Sequence, residues 1–92
     1  MLTLDTPVQV AENVLFTGVD KEAVLLNTRT NKYFGLNEVG ARFWDVLSMS
    51  SLRHAHQVLC TEYEINPQQL EQDLLELAGL MVQHGLLEIH PA

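Results

Sequence analysis

The sequence predicts an α+β domain in which a three-stranded antiparallel sheet is followed by three helices. Short apolar or alternating runs, separated by polar turns, fill the first 36 residues. From Glu38 onward, apolar residues recur instead at spacings of three and four. The two regimes meet in NTRTNKYFGLNEVGARFWDVL, residues 27–47, where a polar turn, an aromatic strand and an amphipathic helix follow one another almost without spacer.

Taken in order, residues 1–6 read as a weakly pinned end. A first strand is expected over about 8–17, bent near Glu12 and Asn13. A turn follows over Thr17–Lys21, with Gly18 free to take a positive φ. The second strand covers about 22–27, with the run Ala23-Val24-Leu25-Leu26. Asn27–Asn31 are all turn-prone and return the chain into a third strand, 32–36. Three short strands joined by tight turns make an antiparallel meander.

Asn37 is a good N-cap for a helix over about 38–47, which carries Val39, Phe43, Val46 and Leu47 on one face with Trp44 beside them. Gly40 in its first turn implies close packing. Ser50 or Ser51 caps a second helix, about 51–62, with Leu52, Ala55, Val58 and Leu59 at helical spacing. Asn66-Pro67-Gln68-Gln69 starts a third, about 67–84, with Asn as cap and Pro at the first helical position. Gly85 is a stop, and Leu86–Ile89 forms either a short return strand or a packed tail. The parts are those of a winged helix-turn-helix with its strands moved to the front.

A chain of 92 residues is one domain, and it can bury only a modest core. Twelve acidic and five basic side chains give a formal charge of −7, which repels phosphate backbones and anionic membranes. Cys60 is the single cysteine, so no intrachain disulfide forms, and this fits a cytoplasmic location. MLTLDTPVQV carries an acid, no base and no long apolar core, unlike a signal peptide. No apolar run approaches the ~18 residues of a membrane helix.

Two features exceed what a small core needs. Around the third helix, Leu70, Leu74, Leu77 and Met81 form a tight stripe, flanked by Leu75, Ala78 and Val82 on one side and Leu80 on the other. The arc is roughly 220°, against about 100° or a little more for a helix packed on one side. A central helix touching both sheet and helices explains this, and so does a flank left open for a partner. The second feature is the third strand, an edge whose only charge is Lys32. Tyr33 and Phe34 point to opposite faces, so one enters the core and the other lies beside the edge.

No group of residues suggests catalysis or a bound cofactor. His56 and Cys60 share a helix face at metal spacing, but nothing nearby completes a four-ligand site. His54, His84 and His90 do not join them. Glu71, Asp73 and Glu76 read as a solvated helix face, with Asp73 near the Leu80 flank and able to meet a partner's basic or amide group.

The stretch AVLLNTRTNKYFGLNEVGARFWDVL resembles the PqqD-like family, also called the RiPP recognition element. The resemblance lies in an apolar strand, a polar turn, Tyr33-Phe34-Gly35-Leu36-Asn37, then Gly40-Ala41, Trp44 and Leu47. INPQQLEQDLLELAGLMVQHGLL is similar to the family's last helix and its terminal Gly-Leu-Leu, so the likeness covers about residues 8–90. It implies a non-catalytic binder of the leader segment of a ribosomally made precursor peptide, added as a strand to the third strand's edge. By the resemblance, Asn31, Lys32, Tyr33, Phe34, Gly35 and Leu36 pair with the leader, and flanks of Leu70, Asp73, Leu74 and Leu77 line the groove.

Within the family the chain is most similar to the stand-alone leader-binding subunit of lasso peptide systems. Its implied partners are a leader protease of the cysteine peptidase type and a cyclase. The alternative is the peptide chaperone of pyrroloquinoline quinone biosynthesis, whose partner is a radical-SAM enzyme. Outside the family, a winged-helix DNA-binding regulator would need a basic recognition helix. The third helix has no Lys or Arg, and the second balances Arg53, His54 and His56 against Glu62, with Glu64 just beyond it. A structural subunit pairing its sheet edge with another copy is the remaining reading.

Overall fold

The computed structural model describes residues 2–90. Its elements are β1 (Val8–Val10), β2 (Val14–Val19), β3 (Glu22–Asn27), β4 (Lys32–Leu36), α1 (Glu38–Leu47), α2 (Leu52–Glu62), α3 (Pro67–Gln83) and β5 (Leu87–Ile89). The main sheet is antiparallel in the order β2-β3-β4, and the three helices follow it. The third strand expected from the sequence is β4.

The single strand expected over 8–17 is two strands. Val8–Val10 leaves the main sheet and pairs antiparallel with β5, Val8 opposite Ile89 and Val10 opposite Leu87. The break falls at Ala11–Asn13. There Ala11 N–H donates to Leu86 C=O at 3.0 Å, while Asn13 C=O accepts from Thr28 N–H at 2.8 Å. The backbone thus changes partners within two residues, and no continuous ladder spans the bend. Leu86–Ile89 accordingly includes a return strand.

The other departures are local. β2 runs to Val19, so Gly18 is a strand residue opposite Ala23, and Asp20 takes the positive φ of 58° at the hairpin tip. Asp tolerates that region because its short polar side chain bonds locally. The first residues are pinned: Leu4 is buried in the core and the Asp5 carboxylate accepts two bonds from Arg53. Position 1 lies outside the described residues. Of the two serines expected to cap the second helix, Ser51 does so, and His84 caps the end of α3.

The helix starts follow the capping chemistry. Asn37 Oδ1 accepts from Gly40 N–H at 2.9 Å. Asn66 Oδ1 accepts from Gln68 and Gln69 N–H at 2.9 and 3.1 Å, with Pro67 in the first turn. Gly40 is closely packed, since a Cβ there would stand 3.3 Å from both Asn37 Oδ1 and Leu36 Cδ2. Each such cap is worth ~1 kcal/mol.

Alternation along β3 buries Ala23, Leu25 and Asn27 toward the helices and leaves Val24 and Leu26 half-buried on the outer face. Leu25, Phe43, Leu52, Leu59 and Met81 meet in the middle of the core, joined by Leu70, Leu74, Leu86 and Leu87. α3 therefore spends most of its apolar arc on the core.

Candidate functional site

The site is built around the free edge of β4. In the antiparallel ladder, residues alternate between hydrogen-bonded and non-hydrogen-bonded pairs. Thr28 N–H bonds to Asn13 C=O, so the pairs Leu15–Leu26 and Thr17–Val24 follow as bonded pairs between β2 and β3. The backbone of Asn27, Leu25 and Ala23 then turns to β4, where it meets Lys32, Phe34 and Leu36. What remains on the outside is the N–H and C=O of Tyr33 and Gly35. These groups face away from the sheet, and no described strand pairs with them.

The same alternation settles the two aromatics. Tyr33 stands on the outer face, 73% exposed. Phe34 is half-buried on the helix side, its ring 5.3 Å from that of His84 at an interplanar angle of 57°. Between β4 and the end of α3 lies a groove of about 320 Å³, lined by Asn27, Thr30, Lys32 and Phe34 with Gln83, His84 and Leu86, and reached also by Tyr33 and Gly85.

Asn27 holds this groove together. It is 5% exposed, yet every polar atom of its side chain has a partner. Its Oδ1 accepts from Asn13 Nδ2 at 2.8 Å, Arg29 N–H at 3.0 Å and Thr30 N–H at 3.4 Å. Its Nδ2 donates to His84 C=O at 2.9 Å. The hairpin turn and the end of α3 are thereby fastened to one amide. α3 ends in a Schellman motif: Gly85 N–H bonds Val82 C=O at 3.1 Å and Leu86 N–H bonds Met81 C=O at 2.8 Å. Gly85 has φ 73°, and a Cβ there would stand 2.9 Å from Asn27 Nδ2, so only glycine fits.

The residues expected from the sequence divide into two sets. Lys32, Tyr33, Phe34 and Gly35 sit together on the edge and groove, with Asn31 at the end of the turn (φ 58°) and Leu36 entering the core. On α3, Leu70 and Leu74 are each 2% exposed and belong to the core rather than to an open flank. Leu77 is half-buried, and Asp73 is exposed, accepting from Gln69 Nε2 at 2.9 Å. Helical spacing puts Asp73, Leu77, Leu80 and His84 on one stripe, and Leu80 is 43% exposed.

The sequence reading missed Asn27, Gln83 and His84 as groove residues. Asn27 looked like any turn residue, and His84 one more scattered imidazole. The stop signal at Gly85 was the usable clue, because it reverses the chain at the mouth of the groove. His56 and Cys60 do share a face, with Nε2 3.6 Å from Sγ, and His56 Nε2 also lies 2.8 Å from Pro67 C=O. Among the described residues, no three His, Cys, Asp or Glu side chains cluster as a metal site. None of the described helices is long and apolar enough to cross a membrane.

The profile of the family described as Coenzyme PQQ synthesis protein D (PqqD) matches residues 22–87, from the start of β3 into β5. The chain belongs to the PqqD family. Among solved structures, it is similar to TbiB1 in complex with the TbiA(beta) leader peptide, with 29% identity and a TM-score of 0.84. That likeness covers 91% of this chain and 99% of the other. Lasso peptide synthetase B1 complexed with the leader peptide shares the fold, at 24% identity and a TM-score of 0.78, over 88% of this chain and 96% of the other. No curated protein sequence matches. The PqqD family match spans the whole of β4 and α3, and so contains both walls of the groove.

Proposed function

We propose that this protein binds the leader segment of a ribosomally made precursor peptide as an added strand on β4, and performs no chemistry itself. The observation that carries this is the outward-facing backbone of Tyr33 and Gly35 beside a groove. Backbone hydrogen bonds there supply affinity, and alternate side chains of the ligand enter the groove for specificity. The TbiB1 structure, a leader-peptide complex similar over nearly the full length of both chains, supports the same reading. The peptide site comprises Asn31–Leu36 with Gln83, His84 and the Asp73–Leu77–Leu80 stripe. Leu70 and Leu74 lie in the core and not in this site.

In this reading the protein works in the cytoplasm. It hands the bound precursor to a separate leader protease of the cysteine peptidase type and to a cyclase. The lasso-type assignment rests on the sequence resemblance, and the fold shared with lasso peptide synthetase B1 accords with it. The name of the matching family favours a second reading, a chaperone presenting its precursor to a radical-SAM enzyme in pyrroloquinoline quinone biosynthesis. Affinity purification of the tagged chain from its own cells separates the two by which enzyme class accompanies it.

The test of binding is an amide-resolved titration with the leader segment of the precursor encoded nearest this gene. Saturable shifts at residues 31–37 and 73–86 are expected. Shifts confined to β2, the other edge of the sheet, would sink the proposed site.

A further inference from the structure

We infer that the bound strand presents an acidic side chain to Lys32 and, two residues away, an apolar or aromatic side chain to Phe34. This rests on the strand-addition reading above. A strand bonded to Tyr33 and Gly35 has its own residues opposite Lys32, Phe34 and Leu36 on the helix side of the sheet. Its groove-facing side chains are therefore spaced by two, and each meets one of these three residues in turn.

The chemistry at each position follows from what lines it. None of the residues lining the groove is a carboxylate, and Lys32 is its one ammonium. Elsewhere the protein is acidic, with a net charge of −7. Arg42 and Arg53 are held in ion pairs with Asp45, Glu62 and Asp5, whereas no ion pair occupies Lys32 among the described residues. Arg29 stands in the turn just before it. The acids of α3 begin at Glu76, two turns or about 12 Å along the helix from His84.

The end of a helix ordinarily repels an anion through its free carbonyls. Here the carbonyls of Met81, Val82 and His84 already accept from Leu86, Gly85 and Asn27. The groove end thus offers an acid a lysine and no lining carboxylate, on a protein that is acidic overall. Phe34, tilted against His84, offers the neighbouring position a ring rather than a charge. Together the two fix the register of the ligand, because a one-residue slip would turn both side chains to the outer face.

The experiment is a selection of short randomised displayed peptides against the full chain and against Lys32→Glu, with selected peptides mapped by amide shifts. On the native chain, peptides that shift Tyr33 and Gly35 should carry Asp or Glu two residues from an apolar residue. On Lys32→Glu, Lys or Arg should replace the acid. Replacing the acid by Ala in one such peptide should weaken native binding roughly two- to fivefold at low salt, and leave Lys32→Ala unaffected. Edge-binding peptides with the same charge preference on both proteins would overturn this inference and leave strand addition standing. A selection that yields nothing on the β4 edge would overturn strand addition, and this inference with it.

Discussion

The side-chain amide of Asn27 donates to the backbone carbonyl of His84 at 2.9 Å, and this bond joins the β3–β4 turn to the end of α3. The two walls of the groove are otherwise distant in sequence. Asn27 is 5% exposed, so its bonds are shielded from water, and their loss leaves orphaned donors.

Asn27→Ala should therefore destabilise the domain by about 2–3 kcal/mol, since it unbinds Asn13 Nδ2 and the turn N–H groups of Arg29 and Thr30. Urea unfolding measures this. Asn27→Asp should cost a similar amount, because it sets a carboxylate oxygen against His84 C=O where an N–H₂ now donates. A loss below about 0.5 kcal/mol in both would remove Asn27 from its role as fastener.

Proline separates the two sides of β4. At Tyr33 it removes an N–H that faces away from the sheet, so the domain should stay folded while leader binding falls by more than tenfold, over ~1.4 kcal/mol. At Phe34 it removes an N–H that bonds to Leu25, so the hairpin itself should fail. Circular dichroism and a binding titration distinguish the cases. Equal loss of fold in both variants would contradict the ladder phase assigned here.

Leu74 and Leu80 separate fold from site along α3. Leu74→Glu buries a carboxylate in the core and should unfold the protein. Leu80→Glu changes a 43% exposed position on the stripe proposed for the site, and should keep the melting temperature within a few degrees while weakening the leader by about tenfold. Native affinity in a folded Leu80→Glu would take the stripe out of the site.

Acid should loosen the helical layer. Hydrogen bonds from Arg42 hold the Glu62 carboxyl below its ordinary range, and those from Arg53 do the same for Asp5. A carboxylate with a lowered folded pKa contributes stability above its unfolded pKa and loses it as the pH falls through the folded one. The urea midpoint should hence drop below about pH 4, and the gap between native protein and Arg42→Ala should close over the same range. A gap that persists unchanged in acid would mean that Arg42 acts through packing of its stem. Both pairs are solvent-exposed, so the effect is modest.

Much of this was legible in the sequence because it depends on local chemistry. The caps Asn37, Ser51 and Asn66, the strand at Lys32–Leu36 and the stop at Gly85 are written in residues that touch their own neighbours. What was not legible depends on partners far along the chain. Val8–Val10 alternates as a strand should, but nothing in it reveals that its partner is Leu87–Ile89. Spacing places Leu70, Leu74 and Leu77 on one stripe, but the packing of α2 and β5 against α3 decides that the first two are sealed while Leu80 opens to solvent. Asn27 reads as a surface turn residue until Asn13 and His84 close over it.

The most direct measurement is amide hydrogen exchange at Tyr33 and Gly35, in the free protein and with the leader segment bound. In the free protein these two amides should exchange fast beside slow exchange at Phe34, whose N–H is held by Leu25. Bound leader should then slow Tyr33 and Gly35 strongly and leave Phe34 unchanged. Protection of Tyr33 and Gly35 in the free protein, or no gain in protection when the leader binds, would contradict an open β4 edge that takes up a strand.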